Sequence, residues 1–235
     1  SAQEPFGVTY VRCGNRRASV CPACSRIYAR DTFEMIRAGV VGGKSVPEEV
    51  SGNPLVFLTL TAPSFGPVHA AKGGQRCRPR DGHGVCEHGR PVACWRAHED
   101  GDLDVGTPIC SDCYDYVGHA IWQWWAPELW RRFTITARRV IARALGVPDS
   151  RLREVATLQY AKVAEYQARG VVHFHALVRL DGPKTPEGYA AAPDSISAGV
   201  LAGLLEDAVA RVHFDAPPCG GQGGGRLRFG AQVDA

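Results

Sequence analysis

The sequence predicts an α+β domain in which helices cover one face of an antiparallel sheet and a zinc-binding insertion enlarges the domain. Strand-like and helix-like segments follow one another in the order β-α-β-β-α-β, once a first helix and a cysteine-rich segment are set aside. This is the order of a split β-α-β unit. The 235 residues suffice for a substantial core, and nine cysteines, several at metal-ligand spacing, indicate the insertion. We therefore expect a single domain over residues 1–235.

The composition argues against a membrane protein or a disordered chain. Hydrophobic residues make up 45% and charged residues 22% of the chain, as in ordinary globular proteins. No apolar run approaches the roughly 20 residues that span a bilayer, and no leader opens the sequence, so we expect no membrane contact. The net charge of +3 is too small to indicate a nucleic-acid partner by itself.

The N-terminal region, residues 13–38, combines a cysteine knuckle with the first helix. Its Cys-Pro-Ala-Cys sequence is matched by Cys-Ser-Asp-Cys at 110–113, and each CxxC can place two thiolates on one tetrahedral ion. A pair of such knuckles indicates structural zinc more strongly than a redox site or a disulfide. Cys13 could substitute for one ligand. The first expected zinc site has the ligands Cys21, Cys24, Cys110 and Cys113.

The first predicted strand is the apolar run 55–61, which ends at Ala62-Pro63. Val56, Leu58 and Leu60 share one face of it, while Phe57, Thr59 and Thr61 share the other.

The segment of about 66–116 is the predicted zinc-binding insertion. It has few apolar stretches and cannot build its own core, so metal binding would supply the missing folding free energy. His98 is favoured as a ligand because three residues separate it from Cys94, which lets both side chains turn inward; His88 is the alternative. Cys219 is expected to take no part. The second expected zinc site has the ligands Cys77, Cys86, Cys94 and His98.

Residues 117–146 are predicted to form one long helix, or two that meet at Pro127, with Gly146 at the end. Apolar residues recur at helical spacing on one face, and the four tryptophans within 122–130 are expected to lie in the core rather than to form a base-stacking platform. The arginines on the opposite face of the helix form one candidate DNA-binding surface, and Arg78 and Arg80 of the insertion belong to a second. The alternative is that such arginines merely solvate the helix face. The helix arginines are Arg131, Arg132, Arg138, Arg139 and Arg143.

Two strand-like runs, 154–166 and 171–180, are predicted to form a hairpin through 167–170. His173 and His175 share one face of the second strand, and two imidazoles so placed can bind one divalent metal. The alternative is that both are polar residues on a half-solvated sheet face. A helix over 195–212 and a last strand over 227–233 complete the predicted sheet domain.

Glu165 is the candidate third ligand, on a condition of parity. It shares the face of His173 only if the strand pairing leaves an odd number of loop residues, such as 167–171. A four-residue loop would turn Glu165 toward the helices and exclude it. One oxygen and two nitrogens with open positions would suit Mg²⁺ or Mn²⁺ as a Lewis acid on a phosphate.

Two motifs resemble those of DNA-nicking enzymes. His173-Phe174-His175 resembles the histidine–hydrophobic–histidine motif of HUH endonucleases, and residues 57–61 (FLTLT) resemble the first motif of rolling-circle replication initiators. The wider sequence resembles the replication initiator (Rep) proteins of actinobacterial plasmids and integrative conjugative elements. The stretches that carry this likeness are 13–17, 21–24, 57–67, 86–91, 110–116, 128–134 and 162–181.

The resemblance implies an HUH endonuclease fold and an initiator that nicks and joins one DNA strand at the double-strand origin through a 5′-phosphotyrosine intermediate. It implies that His173, His175 and Glu165 are catalytic residues that bind Mn²⁺ or Mg²⁺, with Thr59 and Thr61 in supporting roles. It also implies origin DNA as the partner, in single-stranded or hairpin form, together with the host helicase and polymerase in the bacterial cytoplasm.

One expected departure from this family concerns the nucleophile. HUH enzymes carry the nucleophilic tyrosine on a helix after the last strand, and we expect this chain to stop before that helix. Tyr114, Tyr116, Tyr160 and Tyr166 are expected to be structural or to face DNA. The chain should then bind metal and DNA without cleaving.

Two other functions compete with this one. An HUH transposase or conjugative relaxase would use the same chemistry but should lack the double zinc insertion. A non-catalytic, zinc-dependent DNA-binding module would need no metal at His173 and His175.

Overall fold

The computed structural model describes residues 11–71, 73–77, 84–218 and 224–231, and the backbone of 233–234. Its α-helices span Pro22–Val41 (α1), Tyr116–Ala144 (α2) and Ala198–Arg211 (α3). Short 3-10 helices span Glu48–Gly52 and Asp149–Glu154. The strands are Leu55–Leu60 (β1), Thr157–Tyr166 (β2), Val172–Asp181 (β3), Lys184–Thr185 (β4), Gly188–Tyr189 (β5), Phe214–Ala216 (β6), Gly225–Leu227 (β7) and Val233–Asp234 (β8).

An antiparallel sheet with the order β2-β3-β1-β8 forms the centre of the molecule. Along the chain, α2 connects β1 to β2, and α3 lies between β3 and β8. In the sheet, β3 separates β1 from β2, and β1 separates β3 from β8. Both helices pack on the same face of the sheet and form the main hydrophobic core with it. β4–β5 and β6–β7 are separate two-stranded sheets. None of the described helices is both long and apolar enough to cross a bilayer.

The two faces of β1 have the predicted characters. Val56, Leu58 and Leu60 are buried beneath the helices. Phe57 is exposed and Thr59 is half-buried on the opposite face, which no part of α2 or α3 covers. The alternation of the sequence therefore fixes which sheet face is available for chemistry.

The β2–β3 hairpin satisfies the parity condition for Glu165. Glu165 pairs with His173 and Val163 with His175. Because Tyr166 pairs with Val172, the connection consists of the five residues 167–171. A loop with an odd number of residues places Glu165 on the same face as the two histidines. The predicted four-residue connection 167–170 is wrong.

α2 holds this hairpin in position. The side-chain amide of Gln123 donates to the Gly170 carbonyl at 2.6 Å, and its oxygen accepts from the Val172 N–H at 2.9 Å. The indole N–H of the fully buried Trp122 donates to the Val172 carbonyl at 3.0 Å. The start of β3 is thus fixed by a helix on the far side of the sheet.

α2 is one continuous helix, so the two-helix alternative is wrong. Pro127 lies inside it, where a proline costs about 3 kcal/mol because it removes a backbone hydrogen bond and crowds the preceding turn. Burial of the neighbouring Trp122, Ala126 and Trp130 offsets that cost. Gly146 ends the helix as predicted, with a φ of +68°.

α1 lies against the other face of the sheet. Ala38 is the only one of its 20 residues that is fully buried. Its last turns contact the sheet where the Arg179 guanidinium donates to the Gly39 carbonyl, and Ile36 and Leu177 line the groove between them. Most of α1 is therefore solvent-exposed and stands beside the face that carries the histidines.

The insertion between β1 and α2 contains no helix or strand within its described residues. Isolated bridges join Val68 to Pro108, Arg76 to Ala97 and Val85 to Pro91. Backbone hydrogen bonds such as that from the Ile109 N–H to the Pro67 carbonyl close its base. With so little regular structure, the insertion must owe its order to something other than a core of its own.

The predicted strand 227–233 is wrong as a single element. Leu227 ends β7 and Val233 begins β8, and residues 228–230 between them belong to neither strand. The Gly230 N–H donates to the Thr61 carbonyl at 2.8 Å, and a Cβ on this glycine would lie 2.4 Å from the Ala62 carbonyl oxygen. This close backbone approach explains why the position is a glycine.

A buried ion pair closes the end of the sheet away from the histidines. The Arg179 guanidinium donates two hydrogen bonds to the Asp181 carboxylate, at 2.7 and 2.8 Å, and the Asn53 amide donates a third at 2.7 Å. Asp181 is completely buried. The two charges compensate each other, but removal of either residue would leave the other charge buried and unpaired.

We expect Asp181→Ala to lower the free energy of unfolding by about 3–5 kcal/mol, because it leaves the Arg179 charge buried and unpaired. Asp207→Ala is the matched control, since it removes an exposed pair with Arg211 and should cost at most about 1 kcal/mol. Chemical denaturation followed by circular dichroism measures both. Equal losses for the two variants would contradict the prediction.

Candidate functional site

Glu165, His173 and His175 converge on one point of the open sheet face. The Glu165 carboxylate oxygen Oε2 lies 3.2 Å from Nε2 of His175 and 3.5 Å from Nε2 of His173. The ligand atoms of all three residues lie within 4.8 Å of one another. The register of β2 and β3 brings them together, because it sets Glu165 directly opposite His173.

Two residues of β1 contact His175 from the adjacent strand. The Thr59 hydroxyl lies 3.1 Å from Nδ1 of His175, within hydrogen-bond distance. The Phe57 ring stacks on the imidazole with centroids 5.5 Å apart. Both contacts follow from the pairing of Thr59 with His175. Thr61 lies one residue beyond β1, where its carbonyl accepts the Gly230 N–H.

The three residues fit a divalent metal ion. Nε2 of His173 is buried and has no hydrogen-bond partner in the structure, which is costly unless something binds it. Nε2 of His175 and a largely exposed carboxylate face the same point. Two imidazole nitrogens and one oxygen suit Mn²⁺, Mg²⁺ or a similar ion, with coordination positions left open toward solvent.

A second ligand group lies in the insertion and consists of Cys86, His88, Cys110 and Cys113. Nδ1 of His88 lies 3.2 Å from Sγ of Cys113 and 4.0 Å from Sγ of Cys110. Burial raises the pKa of the Cys86 thiol, but backbone N–H groups of Arg90 and His88 and the neighbouring thiols lower it to about 7. A thiol that ionises so readily is suited to metal binding.

A third ligand group, also in the insertion, consists of His69, Cys77, Cys94 and His98. Nε2 of His98 lies 3.2 Å from Nδ1 of His69 and 3.3 Å from Sγ of Cys94. The other ring nitrogen of His98 is 2.7 Å from the Asp102 carboxylate. The hydrogen bonds to Asp102 and to Cys94 both raise the pKa of His98. A carboxylate behind a ligating histidine is the usual support of a protein zinc site.

The predicted grouping of the cysteines is wrong. Cys110 and Cys113 group with Cys86 and His88, while Cys21 and Cys24 group with Cys13 far back in the chain. The reason is the closed base of the insertion, which lays residues 106–109 beside 67–69 and so keeps both ligand groups within the insertion. The cysteines of the N-terminal knuckle therefore form a group of their own, separate from the two groups of the insertion.

The second expected site is also corrected. Cys77, Cys94 and His98 do share a group, but Cys86 belongs to the other one and His69 takes its place. His88 belongs to the group of Cys86, Cys110 and Cys113 and is not an alternative to His98. His69 was missed because it precedes the cysteines of the insertion; its position eight residues before Cys77 was the available signal.

The arginines of α2 do not surround the histidine pair, because α2 covers the opposite face of the sheet. Arg131 and Arg132 both donate to Glu128, which lowers the pKa of that carboxyl to about 2. Arg139 pairs with Asp149 at 3.3 Å. Arg138 and Arg143 carry no ion pair within the described chain. Arg78, Arg80 and Cys219 lie outside the described residues.

The tyrosines of β2 are turned away from the histidines. Tyr160 packs on Trp130 of α2, with ring centroids 5.4 Å apart. Tyr166 pairs with Val172, which is buried on the helix-covered face. Tyr114 lies at the base of the insertion and its hydroxyl is 3.1 Å from His119. That these tyrosines are structural or face DNA stays a prediction.

Comparison with known proteins places the chain in a family. The sequence matches the RepSA family, described as "Replication initiator protein, pSAM2", over residues 1–235. A replication initiator protein of Streptomyces ambofaciens is 38% identical over 238 aligned residues, which cover all of this chain and 48% of that protein. The chain thus spans about half the length of this curated relative. No solved structure matches it. On these matches, the chain belongs to the RepSA family of replication initiator proteins.

Proposed function

We propose that this chain is the HUH endonuclease domain of a rolling-circle replication initiator, which nicks and joins one DNA strand at the origin with the help of a divalent metal. The observation that carries the proposal is the convergence of Glu165, His173 and His175 on the open sheet face. Nε2 of His173 is buried without a hydrogen bond, which favours a metal at this point over three solvated polar side chains. Membership of the RepSA family supports a role at a replication origin.

The residues of the site divide the work among them. Glu165, His173 and His175 would hold Mn²⁺ or Mg²⁺, which supplies Lewis acidity toward a phosphate oxygen when bound. Thr59 orients His175: a hydrogen bond from Nδ1–H to its hydroxyl leaves the Nε2 lone pair for the metal. Phe57 fixes the tilt of the same ring by stacking. Glu165 is 62% exposed, so a DNA strand can reach the site from solvent.

The nicking step follows the chemistry of phosphotyrosine exchange. A tyrosine oxygen attacks the scissile phosphorus, the bond to the 3′ oxygen breaks, and the DNA 5′ end remains on the protein. The released 3′ hydroxyl primes replication and, in reverse, rejoins the strand. We assign no described tyrosine of β2 to this role, because Tyr160 and Tyr166 lie on the other face of the sheet.

We also propose structural zinc in both ligand groups of the insertion. Each group offers four cysteine or histidine ligands, which is the complete set of a closed tetrahedral site. Zinc would replace the hydrophobic core that this segment lacks. The proposal concerns folding of the insertion and is separate from the ion at the histidine pair.

Binding of Mn²⁺ tests the metal site directly. We expect the zinc-loaded chain to bind one Mn²⁺ in isothermal titration calorimetry, and His173→Ala or Glu165→Gln to weaken that binding by at least about tenfold, since each removes one of three ligands. His213→Ala, a histidine outside the site, is the matched control and should bind like wild type. Unchanged binding in His173→Ala would favour the non-catalytic DNA-binding module.

Nicking is tested with the natural protein that contains this chain and a supercoiled plasmid carrying its own origin. We expect an open-circular product with protein attached to the 5′ end in Mn²⁺ or Mg²⁺, and none in excess chelator. His175→Ala should lower the nicking rate by at least about 100-fold, whereas His213→Ala should not change it. A wild-type rate that persists in His175→Ala would exclude the proposed role of the site.

The Asp102 carboxylate tests the zinc proposal for the insertion. Asp102→Ala removes the support behind His98 and should weaken zinc at this group by about 10–100-fold, as is usual for such supporting residues. Asp100→Ala, an exposed change two residues away, should leave the affinity unchanged. Competition with a chromophoric chelator measures both. Equal zinc retention by the two variants would contradict the assignment.

A further inference from the structure

Three thiols meet at the N-terminal end of α1, away from both ligand groups of the insertion. Sγ of Cys13 lies 3.6 Å from Sγ of Cys24, and the ligand atoms of Cys13, Cys21 and Cys24 all lie within 4.8 Å of one another. Within the described chain, no histidine or carboxylate joins this group. Three thiols cannot all be satisfied by one disulfide, which leaves metal binding as the use that engages all of them.

The N-terminus of α1 favours negative charge on two of these thiols. Cys21 is the N-cap residue of α1, so Cys21 and Cys24 lie at the positive end of the helix dipole. A metal binds cysteine as the thiolate, so this end of the helix favours the form of the side chain that a metal needs.

Within the described residues, the segment that carries Cys13 is held by local hydrogen bonds and one ring contact rather than by a core. Every described residue from 11 to 20 except Asn15 is exposed, so no hydrophobic core anchors it. The contact between the Arg16 guanidinium and the Tyr28 ring, 4.4 Å from the ring centroid, is an exposed cation–π pair of modest strength. Ordering about ten residues costs far more than one such contact returns.

We infer that Cys13, Cys21 and Cys24 form a fourth metal site, which binds a thiophilic divalent cation such as Zn²⁺ and fastens the N-terminal segment to α1. The site has three protein ligands, and water or another small ligand completes the tetrahedron. It does not depend on the proposed nicking activity, because it shares no residue with the sheet face. Its role is structural: metal loading orders the first turns of α1, the helix that stands beside that face.

The metal content of matched variants tests this site. Zinc is counted by mass spectrometry of the elements after dialysis of the whole chain against metal-free buffer under reducing conditions. We expect Cys24→Ser and Cys13→Ser each to hold one zinc fewer per chain than wild type, whatever the insertion binds. Ser19→Ala, an exposed change within the same segment, should keep the full count. Equal zinc content in wild type and both cysteine variants would overturn the inference.

Limited trypsin digestion supplies a second readout that does not rely on metal counting. Arg16, Arg17 and Arg26 are cleavage sites within or beside the metal group. We expect cleavage at these residues to be at least about tenfold faster in Cys24→Ser than in Ser19→Ala, while cleavage in the sheet domain stays the same. Equal rates would show that no metal orders this segment. A disulfide between two of the thiols that persists under the same reducing conditions would likewise overturn the inference.

Discussion

The pairing of Glu165 with His173 is the constraint on which the candidate site depends. A slip of one residue would turn the Glu165 side chain to the face that α2 and α3 cover, and the histidines would lose their carboxylate. The five-residue connection sets the parity, and the hydrogen bonds of Gln123 and Trp122 to the start of β3 hold it there. The open face of the sheet is therefore organised by a helix buried against its other face.

The insertion meets this same hairpin, which links its order to the site. Gly106 lies so close to the hairpin loop that a Cβ there would be 2.3 Å from the Ala168 carbonyl oxygen. The Arg169 guanidinium stands over the Phe65 ring at the base of the insertion, and burial lowers the pKa of that arginine. Loss of order in the insertion would free the loop that fixes the register. In the proposed function, structural zinc thus supports the catalytic metal through packing and not through shared ligands.

Local patterns in the sequence predicted what depends on local geometry. The buried face of β1, the shared face of His173 and His175, and the end of α2 at Gly146 all follow from strand alternation or helix-ending chemistry. The partners of each cysteine did not follow, because they depend on how the base of the insertion closes. For that reason, His69 occupies the position predicted for Cys86 beside Cys77, Cys94 and His98, and Cys86 belongs to the other group. The need for glycine at position 230 was equally out of reach, since only the approach of the Ala62 carbonyl reveals it.

The separation of the arginines from the histidines bears on how a DNA strand would be held. Arg131 and Arg132 share the single negative charge of Glu128, and the whole of α2 lies across the sheet from Glu165. A single strand at the site therefore cannot contact these guanidinium groups at the same phosphate. In the proposed function, the charge of the scissile phosphate must be met by the ion that Glu165, His173 and His175 hold. The helix arginines could then serve only DNA that passes around the exposed edge strand β2, at a distance from the reacting bond.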